Sequence, residues 1–100
     1  MTNSRNKGAR FEREVAKAFN TSRHTRCSYG ESAPDIINDD FVIECKIRNG
    51  GIGAIRYLEQ CEKHKLEGKI CIVVAKEDRK EPFVIIRLKD FLELSRRNRA

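Results

Sequence analysis

Residues 33–46, APDIINDDFVIECK, set two apolar runs on either side of Asn-Asp-Asp, with an acid at the head of the first run and Glu-Cys-Lys inside the second. Two such runs joined by a short polar turn read as an antiparallel hairpin, with strands over 35–38 and 41–47 and a tight turn at Asp39 and Asp40. A turn centred there pairs Ile37 with Val42, Ile36 with Ile43, and Asp35 with Glu44. Side chains alternate along a strand, so Phe41, Ile43, Cys45 and Ile47 share the core face while Val42, Glu44 and Lys46 share the other.

Opposed carboxylates are costly, because cross-strand Cβ atoms stand only ~5 Å apart and like charges at that distance destabilise a sheet. A divalent cation held between Asp35 and Glu44 would compensate, since carboxylate oxygens are what Mg²⁺ sites use. Lys46 lies on the same face, about 6–7 Å beyond Glu44. Its ammonium there can hold a water or steady charge on a phosphate under attack. The competing reading is a solvent-facing hairpin surface on which Asp35, Glu44 and Lys46 are ordinary polar residues.

Working outward, Phe11, Val15, Ala18 and Phe19 fall on one face of a helix over 7–20, and residues 1–6 read as a flexible arm. Residues 24–29, HTRCSY, alternate loosely as a first strand. Beyond the hairpin, Asn-Gly-Gly-Ile-Gly at 49–53 is a glycine-rich loop. A second helix is expected over 54–67, with Ala54, Ile55, Leu58 and Cys61 inward and Gly68 at its end. Residues 70–75 form an apolar run suited to a central strand, 83–88 a further strand, and 89–97 a last helix. The order αβββαββα predicts an α/β fold with a mixed sheet of about five strands flanked by helices.

One hundred residues suffice for one small domain, and the expectation is a single unit over 1–100. Its 21 Lys and Arg against 15 Asp and Glu leave a net charge of +6, which suits a polyanionic partner. The excess is concentrated. Arg5, Lys7, Arg10, Arg13, Lys17, Arg23 and Arg26 face only Glu12 and Glu14 in the first 26 residues, seven charges against two. The four cysteines, Cys27, Cys45, Cys61 and Cys71, show no CxxC spacing and read as small core residues in a reducing compartment. His24 and His64 are isolated and read as surface or structural histidines. No stretch approaches the ~20 apolar residues of a membrane span, and the first residues lack a signal-peptide segment. A cytoplasmic location without membrane contact is expected, the host cytoplasm if the chain is phage-encoded.

Pro34-Asp35 followed by Glu44-Cys45-Lys46 resembles the PD-(D/E)XK nuclease superfamily. Lys7-Gly8-Ala9-Arg10-Phe11-Glu12-Arg13-Glu14 is similar to the N-terminal helix of archaeal-type Holliday junction resolvases and their phage relatives. The likeness spans roughly residues 7–75. It implies a restriction-endonuclease-like core and a Mg²⁺-dependent endonuclease, with Mn²⁺ able to substitute. Asp35 and Glu44 would be metal ligands together with the backbone carbonyl of Cys45, Lys46 the catalytic lysine, and Glu12 an additional acid of the site that meets metal through water. Lys7, Arg10, Arg13 and Ser28 would touch DNA, and Gln60 matches a glutamine of some branches. A four-way junction has two symmetric strands to cut, so a two-fold homodimer is the expected working unit. Phe83, Ile85, Phe91 and Leu94 are candidates for its contact or for the core. Two alternatives stand beside this reading: another nuclease of the same superfamily, acting in nicking, repair or restriction, and a basic nucleic-acid-binding module without activity.

Overall fold

The computed structural model describes residues 4–20, 35–49 and 53–97. Along the chain run α1 (Ser4–Ala18), β1 (Ile36–Ile37), β2 (Phe41–Arg48), α2 (Ala54–Glu62), β3 (Ile70–Glu77), β4 (Phe83–Ile85) and α3 (Leu88–Arg97). The expected α/β class is what the chain adopts. The sheet has the order β1-β2-β3-β4, four strands among the described residues where about five were expected. The strand expected at 24–29 lies outside the described residues.

The hairpin forms in the register its sequence dictates: Ile36 pairs with Ile43 and Ile37 with Val42, antiparallel. Asn38 closes the turn, its Oδ1 accepting from the backbone N–H groups of Asp40 (3.0 Å) and Phe41 (2.7 Å). The Lys69 ammonium donates to the carbonyls of Asn38 and Asp39, which fastens this turn to the start of β3. From there β3 runs parallel to β2, Phe41 against Ile70 through Arg48 against Glu77, with α2 as the crossover. β4 returns antiparallel along β3.

Both faces of the central strands are covered, as a parallel pair requires. Phe11, Val15 and Ala16 of α1 pack on Ile36, Ile43, Ile70, Ile72 and Val74. On the opposite face Tyr57, Leu58 and Cys61 of α2 pack on Val42, Cys71, Val73 and Ala75. The β2 face carrying Val42, Glu44 and Lys46 is therefore partly core as well. Cys61 and Cys71 are buried free thiols and Cys45 a half-buried one, in keeping with cysteines as small core residues.

Helix bounds depart from the periodic pattern where packing is thin. α1 begins at Ser4, inside the expected arm, because its first turns precede Phe11 and make no apolar signal. Ala16 rather than Ala18 joins its buried face, and Asn20 ends it with φ 56°, a left-handed cap that Asn tolerates. α2 stops at Glu62, five residues short of the expected end. Bonds from His64 N to Cys61 O (2.9 Å) and Lys65 N to Glu62 O (3.2 Å) tighten the chain into turns there. Gly68 then takes φ +80°, a conformation only glycine enters freely. Ile55 is exposed, and Tyr57 takes the inward position assigned to it.

Candidate active site

The site is built on β2, between the two helical layers. Asp35 and Glu44 are 3% and 5% exposed, which rules out a solvent-facing hairpin surface as their setting. A buried carboxylate must be compensated or it neutralises. Part of that compensation is visible for Asp35, whose Oδ2 accepts the Cys45 backbone N–H at 2.9 Å. This bond holds the Asp35 side chain against β2 beside Glu44. The observed pairing ends at Ile36 with Ile43, and Asp35 stands in the bend one residue before it.

Cys45 reports on the charge around it. Its thiol pKa is pushed up strongly, first by burial and then by the negative fields of Asp35, Glu12 and Glu44. All three acids lie near enough for their charge to act on Cys45. They arrive from different elements: Glu12 from α1, Asp35 from the bend before β1, and Glu44 from β2 itself. Glu12 is half-buried and sits between Phe11 and the Ala16 side of the helix, at the border of its buried stripe. It enters on the α1 face of the sheet, whereas Glu44 also raises the thiol of Cys61 on α2 and so faces that helix.

Lys46 extends on the α2 face, half-buried, with Nζ 5.2 Å from the centre of the Tyr57 ring. Among the described residues it has no carboxylate ion pair. Arg48, two residues further along the same face, places its Cζ 5.5 Å from that ring centre and donates from Nε to the Tyr57 hydroxyl. Strand alternation could have singled out Arg48 as a neighbour of Lys46. Tyr57 could not be singled out by the helical pattern, which turned Ile55 inward in its place.

The other expected residues are distributed as follows. Lys7 is engaged with Asp78 at 2.8 Å, tying α1 to the end of β3. Arg10 and Arg13 are exposed on α1, and Gln60 is exposed on α2. Ser28 lies outside the described residues. Of the expected contact residues at the C-terminal edge, Phe83 and Phe91 are exposed while Ile85 and Leu94 are half-buried against the core.

Among the described residues no group of three or more His, Cys, Asp or Glu side chains forms a ready-made metal cage. Asp35, which accepts the Cys45 N–H, and the buried Glu44 next to Cys45 in β2 carry oxygen donors, the type a hard cation such as Mg²⁺ takes, usually with several waters retained. No described helix is long and apolar enough to cross a membrane. Compared with known families, curated proteins and solved structures, the chain has no match, so its chemistry rests on its own residues.

Proposed function

We propose that the protein is a Mg²⁺-dependent, structure-selective DNA endonuclease of the PD-(D/E)XK kind, with four-way junctions as its substrate. One observation carries this reading: a 100-residue chain buries two acids, Asp35 in the bend before β1 and Glu44 on β2, the strand that also presents Lys46. Burying two acids costs stability unless function rewards it, and buried acids with a nearby amine are typical of catalytic sites.

Asp35, Glu44 and the Cys45 carbonyl supply the oxygens that would hold the cation. When bound, Mg²⁺ acidifies a water and offsets charge on the phosphate. Lys46 would orient the attacking water or steady the negative oxygens of the phosphate in the transition state. Glu12 adds a third carboxylate field at Cys45. Arg10 and Arg13 offer phosphate contacts on the exposed side of α1. Ser28 keeps the DNA-contacting role that the resemblance gives it. A homodimer would bring two sites to the two symmetric strands of a junction, its contact formed by apolar side chains of β4 and α3.

The test is incubation with a synthetic four-way junction and with linear duplex of the same sequence, with and without Mg²⁺. Paired symmetric cuts in the junction alone, lost in Asp35→Asn and Lys46→Ala proteins that still bind, support the reading. Equal cutting of linear duplex would assign a nicking or repair nuclease instead. Binding without any cleavage would leave a nucleic-acid-binding module, and wild-type rates in both variants would remove these residues from the chemistry.

A further inference from the structure

The groove beside Lys46 is not used by the chemistry above. It is open, about 750 Å³ in volume, and Arg48, Asn49, Arg56 and Tyr57 contribute to its lining. Among the described residues neither guanidinium has a carboxylate partner, although the chain carries 15 acids. Arg87, by contrast, is paired with Glu62 through two bonds of 3.0 Å. Both guanidiniums are exposed, so they add positive potential to the groove and are accessible to an anion that enters it.

Tyr57 gives the cluster its order. Tyr57 as a residue is 6% exposed, so it is a buried platform rather than a surface for a base to stack on. Lys46 and Arg48 both lie over it, at 5.2 and 5.5 Å, and its hydroxyl takes the Arg48 Nε–H. That leaves the other guanidinium donors of Arg48 for a ligand, in the planar fork that matches a phosphate. Lys46 and Arg48 are alternate residues of one strand, about 6–7 Å apart along it. This separation is comparable with that of successive phosphates along one nucleic-acid strand.

We infer that Arg48 and Arg56 form a phosphodiester-binding subsite, with Tyr57 as the positioning residue, that holds the phosphate next to the one facing Lys46. The subsite rests on the nuclease reading for what Lys46 faces, but its binding can be measured without any cleavage.

The experiment is fluorescence anisotropy of a labelled four-way junction and a labelled duplex in EDTA across a salt series. Arg48→Gln/Arg56→Gln is expected to weaken binding at least tenfold at moderate salt. It should also flatten the slope of log K against log salt by about 0.9, the value for one neutralised phosphate on duplex DNA. Tyr57→Phe should weaken binding in the same direction by a smaller factor; wild-type affinity in that variant would overturn the positioning role of Tyr57. A Lys89→Gln/Arg96→Gln protein loses the same formal charge on α3 and is expected to keep the wild-type slope. An unchanged slope in the Arg48/Arg56 variant, or an equal fall in the α3 variant, overturns the subsite. So does competition by inorganic phosphate that depends on the two arginines while oligonucleotide binding does not, because the groove would then hold a free anion. If the slope falls as expected and wild type does not cut with Mg²⁺, the subsite stands and the nuclease reading fails. If wild type cuts and the slope is unchanged, the reverse holds.

Discussion

The β1–β2 end of the sheet and the β4–α3 edge depart from ordinary segregation of polar and apolar groups in opposite senses. At the first, two acids are buried, Asp35 in the bend before β1 and Glu44 within β2, a strand that is otherwise largely core. At the second, Phe83 (43% exposed), Val84 (49%), Leu88 (72%), Phe91 (53%) and Leu92 (43%) face outward, and α3 has no fully buried residue. Leu94 alone of α3 packs against the α1-side core. Scattered exposed apolar residues are ordinary, but several gathered on one short strand and one helix are a feature of contact surfaces. On the proposed function, buried acids serve chemistry and exposed apolar groups serve association. The two regions thus violate the same rule for different reasons, and substitutions should separate them.

The largest contrast is in activity. Asp35→Asn and Lys46→Ala are expected to lower junction cleavage by about 10²–10⁴-fold, the usual range for losing a group that handles a proton or a metal-bound water. Phe91→Ser should leave the rate per assembled dimer intact. Cleavage assays at protein concentrations well above the dimer dissociation constant check both. A rate loss for Phe91→Ser under those conditions would mean that the α3 edge takes part in more than association.

Stability orders the regions the same way. Ile43 is fully buried between α1 and the sheet, and Ile43→Ala should cost about 2–5 kcal/mol, the transfer loss plus the cavity left behind. Phe91→Ser, exposed, should stay within about 0.5 kcal/mol for the monomer and act instead on sedimentation behaviour. Urea unfolding and analytical ultracentrifugation of the two variants make the comparison. A loss of several kcal/mol at Phe91 in a monomer would show that α3 is structural.

The buried acids supply the next prediction. At a hundredfold excess over its dissociation constant, Mg²⁺ should stabilise the wild type by about 2.7 kcal/mol, and Asp35→Asn should lose most of that increment. Thermal melts with and without Mg²⁺ read it directly, with Ca²⁺ as a second divalent ion. Equal stabilisation of both proteins would place the ion elsewhere.

How much of this was legible in the sequence differs between the regions as well. Hairpin register was fully legible, because Asn38-Asp39-Asp40 fixes the turn and a one-residue slip would put the apolar residues of β1 out of phase with those of β2. The expected opposition of Asp35 and Glu44 extends that register one residue beyond the observed pairs. Their burial was not legible, since the cover over the Val42-Glu44-Lys46 face comes from α2, and its inward residues include Tyr57 where the pattern suggested Ile55. The ion pair of Lys7 with Asp78 was not legible, because Asp78 is distant in sequence and no periodicity announces it. At the C-terminal edge the pattern of α3 shows an apolar stripe plainly, but a stripe is the same in sequence whether a core or a second molecule covers it.

The smallest effect concerns how the two regions are joined. Apart from Leu94, α3 is secured at its start by Arg87, which donates from Nε and Nη2 to the Glu62 carboxylate of α2 at 3.0 Å each. These bonds, and the positive field of Arg87 behind them, hold the Glu62 carboxyl below its usual 4.5. A carboxyl whose folded pKa is depressed stabilises the fold above its unfolded value, and that contribution disappears as pH falls through the folded one. The acid limb of the stability curve should therefore include a step below about 4.5 that is absent in Arg87→Met. The pair is partly exposed and screened, so its effect on the global midpoint is small. Its local effect should be larger: in hydrogen exchange at falling pH, amides of α3 lose protection before those of β2 and β3. Simultaneous loss across the sheet and α3 would show instead that the edge and the buried centre open as one cooperative unit.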